Sequence, residues 1–278
     1  MGRRIAILQH ASERGKDASG YSLWRLIPFW QEDGHEVFTV FGPDDYQPAD
    51  ILFFHVDLSE IPEGYMELAY RYPATVNGRV RDIRKTAFSE HLLGMGDVWN
   101  GPVIVKSNRN YGGLPEALRG VPRLDGKGFD APFSSPLDYQ LYAQLQDVPR
   151  EVFGMPDLVV QRFLPEIEDD LFHIHSYFFL GSWSKCTRTA STHPIVKDAT
   201  RCASYPSKVA PEILDLRQRL GFDYGKFDYV HHEGRVFLLD VNKTIGIGRF
   251  LALRDSTQQI ADRQARAKGL YSLFPASL

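Results

Sequence analysis

Cysteine is scarce: Cys186 and Cys202 are the only two in 278 residues, and no C-x-x-C spacing or ligand cluster accompanies them. That excludes a disulfide framework, leaves no basis for a cysteine zinc site and makes a reducing, cytoplasmic setting the default. Long apolar runs are missing as well. Stretches such as Ile51 to Val56 and Tyr177 to Leu180 fall far below the roughly 20 residues needed to cross a bilayer, so no membrane partner is expected. The apolar run after Arg3 and Arg4 is too short for a signal peptide and reads as a first strand. Nor is there an excess of one charge: 32 Lys and Arg face 35 Asp and Glu, for a net charge of -3 and a pI near 6.3. That balance gives no drive toward nucleic acid, although basic residues gather locally at 79–85 and 106–109. Repeats and low-complexity tracts are absent too. What remains, 43% hydrophobic and 24% charged, is an ordinary globular composition suited to work on small molecules, in a chain long enough for more than one lobe.

The first eighty residues alternate strand and helix. Strands are expected at 4–8, 36–41, 50–56 and 74–77, with helices over 23–30, ended by Gly34, and over 64–72, which describes a small α/β lobe with a parallel sheet. Farther on, a helix is expected over 84–93, a strand over 102–106 and a long Pro- and Gly-rich connection over 119–136. Strands follow at 158–163, 172–180 and 183–189, then an irregular polar stretch over 190–207. A helix from Lys208 to Leu220, capped by Ser207 and ended by Gly221, should bury Val209, Ile213, Leu216 and Leu220. Trp24, Trp30 and Tyr21 read as core at near-helical spacing.

Residues 221–242 carry the strongest chemical signal. If His232-Glu233-Gly234 is a three-residue hairpin loop, residue 231 pairs with 235, and Asp228 lies opposite Leu238 and diagonal to Asp240. Asp228, Asp240 and Asn242 then share one face, with Phe237, Leu239 and Val241 on the other. Hard oxygen donors without cysteine or well-placed histidine suit Mg2+, with Mn2+ as an alternative, and Mg2+ so held usually also carries substrate phosphates. His231 and His232 belong at the exposed tip. Lys106 ends a strand before Ser107-Asn108-Arg109-Asn110-Tyr111-Gly112-Gly113, whose glycines let backbone N–H groups approach an anion; a solvated turn is the plainer reading of that loop alone. Lys85 opens a helix and is either a second phosphate cation or a surface lysine. Around Val160-Gln161-Arg162-Phe163-Leu164-Pro165, an apolar strand runs into an exit where backbone groups are free to bond a flat heterocycle.

The order of these pieces, Asn77 with Asp82 and Lys85, then Pro102 to Lys106, Val160 to Pro165, Phe227-Asp228 and Leu239 to Asn242, resembles ATP-grasp proteins, especially the glutathione synthetase and ribosomal-protein glutamate ligase branch. The resemblance covers nearly the whole chain. It implies an α+β ATP-grasp fold with a Rossmann-like lobe over 1–80, a small central lobe over 81–160 and a C-terminal lobe with the metal site over 161–278. It also implies ATP phosphates at Lys85 and Lys106, a loop over them from Asn108 to Gly112 and Gly113, the adenine at Gln161, Arg162, Phe163 and Leu164, the ribose at Glu168, and Mg2+ at Asp228, Asp240 and Asn242. The implied activity is ATP-dependent joining of a carboxylic acid, small or peptide-borne, to an amine acceptor through an acyl phosphate. Homo-oligomerisation is left open.

Three departures stand out. The usual Glu of the last metal strand is Asp240. The familiar Asp-x-Arg is replaced by Asp170-Leu-Phe-His173-Ile-His175, two histidines on one strand face that either serve the acceptor or are simply satisfied side chains. After Asn242 comes Lys243 to Gly248, where Lys243 is either a cation beside the γ-phosphate or a solvated side chain. Arg188 and Arg201 are the candidates to fix a substrate carboxylate. A kinase of the same fold, or a nucleotide-binding regulatory protein, would use many of the same residues.

Overall fold

A computed structural model describes residues 2–122, 139–247 and 256–275. Most of the expected 119–136 connection, and Gly248, lie outside the described residues. Strands β1 (Arg4–Gln9), β2 (Glu36–Phe41), β3 (Ile51–Phe54) and β4 (Thr75–Val76) form a parallel sheet in the order β2-β1-β3-β4. Both of its faces are covered, as a parallel sheet requires. Ile5, Ile7 and Phe53 pack toward Trp30 of helix α1 (Ile27–Glu32), while Ala6, Leu8, Leu52 and Phe54 pack toward Met66 of α2 (Glu63–Ala69). The helix expected over 23–30 breaks into a 3-10 turn, Ser22–Arg25, and α1, because Pro28 has no N–H to return to the preceding turn.

A second sheet, order β6-β5-β7, is antiparallel: β5 (Val103–Ser107) lies between β6 (Gln140–Tyr142) and β7 (Leu158–Arg162). The helix expected over 84–93 contracts to α3 (Lys85–Phe88). Beyond it the backbone serves β7 instead, with Arg162 N donating to His91 O and Leu93 N to Val160 O.

The largest sheet has the order β11-β10-β9-β12-β13, with β8 (Glu166–Glu168) pairing β9 (Leu171–Leu180). Its other strands are β10 (Trp183–Ser191), β11 (Arg201–Ser207), β12 (Tyr224–His232) and β13 (Arg235–Asn242). Within the stretch expected to be irregular, 201–207 is thus a strand. It is a mostly exposed edge that carries Pro206, so it lacks the apolar alternation that would mark it in the sequence. Helix α5 (Pro211–Arg219) begins at its proline after an Ala210 cap rather than a Ser207 cap. Gly221 (φ 72°) ends it, and Ile213 is fully buried with Val209, Leu216 and Leu220 against the same core. Helix α6 (Thr257–Gly269) was not foreseen, although Ser256 and Gln259 form a capping box. Among the described residues no helix is long and apolar enough to cross a membrane.

Asn77 joins the first sheet to the largest one. Buried and left-handed (φ 62°), it donates through Nδ2 to Tyr224 O at 2.7 Å, while its Oδ1 accepts from the N–H groups of Asp223 and Tyr224. The start of β12, and so the position of Asp228, is tied to the N-terminal sheet.

Candidate active site

The β12–β13 hairpin turns through two residues rather than three. Glu233 (φ 47°) and Gly234 (φ 74°) are both left-handed, as a type I′ turn requires, and His232 pairs with Arg235. Tyr229 then pairs with Leu238, but the register slips at the next residue. Leu239 is the extra residue of a bulge, and Asp228 pairs with Asp240. The two carboxylates, expected to be diagonal, are direct cross-strand partners. The bulge also corrects the expected core face: Leu238 and Val241 are buried there with Val236 against them, whereas Leu239 lines a cavity and Phe237 lies against His91 on the same side.

Like charges directly opposite one another destabilise a sheet, so this pair requires compensation. Lys85 Nζ donates to Asp240 Oδ1 at 3.0 Å, Lys226 Nζ lies 2.8 Å from Asp228 Oδ2, and Ser176 Oγ donates to Asp228 Oδ1 at 2.6 Å. Lys85 is buried, not a surface lysine. Lys106 Nζ donates at 3.2 Å to the carbonyl of Leu239, the bulge residue. Burial, with the Lys85 charge alongside, pushes Lys106 down to about 7 against the pull of Asp240 and Asp228. Asn242 Oδ1 accepts from Thr244 N at 2.8 Å.

Two cavities meet at this pair, and Lys85, Tyr139 and Asp240 line both. The smaller, about 210 Å³, is walled by Lys106, Gln161, Arg162, Phe163, Leu164 and Asp228. Gln161 is fully buried; its Nε2 donates to Ser89 Oγ at 2.8 Å, and its Oε1 has no protein partner among the described residues. His91 lines the same space, and burial, with the Lys106 and Arg162 charges, pushes it down to about 3, so its imidazole is neutral. The larger cavity, about 800 Å³, takes in Lys226 and Asn242 on the sheet side and Tyr21, Asp57 and Arg119 opposite. Its loop wall includes Arg109 and Gly112; Tyr111 (φ 45°), Gly112 (φ 68°) and Gly113 (φ 76°) turn the chain there in left-handed conformations. Asn108 stands behind that loop as a tie, its Oδ1 accepting from Thr86 N and its Nδ2 donating to Pro156 O.

Several expected residues lie elsewhere. Neither cavity is lined by Arg188, Arg201 or Glu168. Arg188 Nε donates to Glu166 Oε1 at 2.8 Å, and its NH1 pairs with Glu168. His175 contacts the same Glu166 oxygen at 3.2 Å and His231 N donates to the other at 2.7 Å. Burial opposes ionisation of Glu166, but these donors outweigh it and hold the carboxyl down to about 2. His173 lines the smaller cavity. Lys243 is fully buried and lines neither cavity; its Nζ makes no hydrogen bond among the described residues, and burial pushes it down to about 7 despite Asp57, Glu116 and Asp82 nearby.

Sequence reasoning missed Lys226, Ser176, Tyr139 and His91. Lys226 was legible, since it stands two residues before Asp228 and must share its face. Tyr139 and His91 reach the site only through tertiary structure. Among the described residues no group of three or more His, Cys, Asp or Glu is gathered for a metal. Two carboxylates and an amide oxygen on one face, the carboxylates held by ammonium groups where a cation would otherwise stand, still fit Mg2+, which completes its shell with water and phosphate oxygens.

No protein-family model matches the chain, and no curated protein is significantly similar to it. Solved structures are similar over almost its whole length. A RimK-domain ATP-grasp protein from Sphaerobacter thermophilus aligns at a TM-score of 0.52 and 12% identity, covering 96% of this chain and 99% of that one. The macrocyclase MdnC of Microcystis aeruginosa, bound with precursor peptide MdnA, aligns at 0.50 and 12% with the same coverages. D-cycloserine synthetase DcsG aligns at 0.50 and 11%, covering 97% and 99%. The chain has the ATP-grasp fold.

Proposed function

We propose that this protein is an ATP- and Mg2+-dependent ligase that joins a carboxylic acid to an amine through an acyl phosphate. The observation that carries this reading is the cross-strand pair Asp228–Asp240, held by Lys85 and Lys226 at the junction of two cavities. A nucleotide in the smaller cavity and an acid in the larger would meet at that junction. In this reading residues 1–80, 81–160 and 161–278 are the three lobes around the site.

Each residue then has a physical task. Gln161, Arg162, Phe163 and Leu164 enclose the base, and Gln161 Oε1, fixed by the bond from its own Nε2 to Ser89, accepts from an exocyclic amine. Lys85 and Lys106 meet the phosphates, and a polyanion there favours the charged form of Lys106 that burial disfavours. Asp228, Asp240 and Asn242 hold Mg2+, which when bound neutralises phosphate charge and aligns the group being transferred. Lys226 places a cation on the larger cavity's side, where a substrate carboxylate needs one. Phosphoryl transfer mainly requires positioning and charge neutralisation, so no enzyme nucleophile is needed.

The test is incubation with Mg-ATP, hydroxylamine and a pool of carboxylic acids. ADP, phosphate and a hydroxamate together support the ligase. ADP with a stable phosphorylated product would replace it with a kinase.

A further inference from the structure

The larger cavity has two kinds of wall. Its wall opposite the sheet carries an ionic network, in which Arg119 Nε has no protein partner among the described residues. Arg119 NH2 donates to Glu13 Oε1 at 2.6 Å and to the Tyr21 hydroxyl at 2.9 Å, and that hydroxyl donates to Asp57 Oδ2 at 2.7 Å. Thr244 Oγ1 donates to the other Asp57 oxygen. The mouth is different. There the 110–113 turn and helix α4 (Leu114–Leu118) present Tyr111, Leu114 and Leu118, which are 58%, 43% and 65% exposed and all line the cavity. Leu114 and Leu118, four apart, share one side of the helix, and Tyr111 lines the same cavity from the turn before it. Among the described residues no other stretch of eight leaves three large apolar side chains in the open.

We infer that the substrate carries a bulky apolar group, the size of a leucine or phenylalanine side chain or larger, that packs on Tyr111, Leu114 and Leu118 while its carboxylate lies toward Lys85 and Lys226. The placement of the carboxylate rests on the ligase reading; the apolar contact does not. Three observations carry the inference. A cavity of about 800 Å³ is far larger than a two-carbon acid fills. Glu13, Tyr21 and Asp57 opposite the sheet are engaged by Arg119 and Thr244, whereas the side chains exposed at Tyr111, Leu114 and Leu118 at the mouth are apolar. That surface is continuous, through the same cavity, with Lys85, Asp240 and Asn242.

The experiment is calorimetric titration of the full chain with N-acetylphenylalanine and N-acetylglycine, each with and without Mg-ADP, for the natural protein and for a Leu114→Ser/Leu118→Ser variant. Both positions are partly exposed, and circular dichroism checks that the variant folds. The phenylalanine derivative is expected to bind at least about tenfold more tightly, the difference falling to about threefold or less in the variant. Equal affinities in the natural protein, or a preference that survives the double substitution, would overturn the inference. So would a concentration-dependent dimer abolished by Leu118→Ser, since the apolar mouth would then belong to a second copy. Failure to bind Mg-ADP with the preference intact would remove the ligase reading and leave this inference standing.

Discussion

Two acidic clusters on the largest sheet look alike in composition and differ in what surrounds them. Glu166 also lines the smaller cavity, but both of its oxygens are engaged by fixed protein donors, from Arg188, His175 and the His231 backbone, which hold the carboxyl down to about 2. Asp228 and Asp240 stand opposite each other across a bulge, held by two lysines and a serine, with cavity space on both sides. The first arrangement satisfies its charges with fixed protein groups and fits a structural role. The second places like charges together and leaves them facing a space that a cation and an anion can enter, which is a cost that structure alone does not require.

The comparison can be tested by unequal substitutions. Asp240→Ala has the largest expected effect on activity: Mg2+-dependent ATP turnover should fall by roughly 10²–10³-fold or more while circular dichroism shows that the variant still folds. A folded, fully active variant would dissolve the distinction. Glu166→Gln should do the reverse, lowering stability by about 2–3 kcal/mol in urea titrations, because it removes the carboxylate that Arg188 Nε and His175 share and leaves Arg188 only the exposed Glu168. The Glu166 carboxyl is lowered from a reference value of 4.5 to about 2, so its contribution is present above pH about 4.5 and is lost as pH falls through about 2. The gap between natural protein and variant should close over that window. Loss of turnover at unchanged stability would instead make Glu166 part of the site.

Lys106→Ala comes next. Losing charge-assisted contacts of about 1.5–3 kcal/mol should weaken nucleotide binding roughly 10- to 150-fold, measured by titration with ADP. Unchanged affinity would remove Lys106 from the phosphate role. The smallest effect is expected from Ser176→Ala, which deletes the donor to Asp228 Oδ1. About 1 kcal/mol, or roughly fivefold in Mg2+ requirement for turnover, would show that this hydrogen bond orients the carboxylate, and no change would assign the orientation to Lys226 alone.

Much of this was legible in the sequence where local rules decide. The period-two alternation gave the faces of Asp228, Asp240 and Asn242, and the β/α alternation gave the first sheet with its parallel order. Errors arose where tertiary pairing overrules local signals. The two-residue turn and the bulge at Leu239 compensate for each other, so the shared face was expected correctly from an incorrect register. The edge strand β11 has no apolar stripe to reveal it, and residues 91–93 leave the helical pattern to pair antiparallel with β7. Arg188 looked available for a substrate because nothing in the sequence shows that β8 brings Glu166 and Glu168 to it.

The central claim is that Asp228 and Asp240 jointly hold the metal of a metal–nucleotide complex. The most direct measurement is electron paramagnetic resonance of Mn2+ titrated into the protein with ADP, for the natural chain and for Asp228→Asn/Asp240→Asn. The account predicts a protein-bound signal that requires ADP and disappears in the double variant while the variant remains folded. An undiminished bound signal in the folded double variant would contradict it.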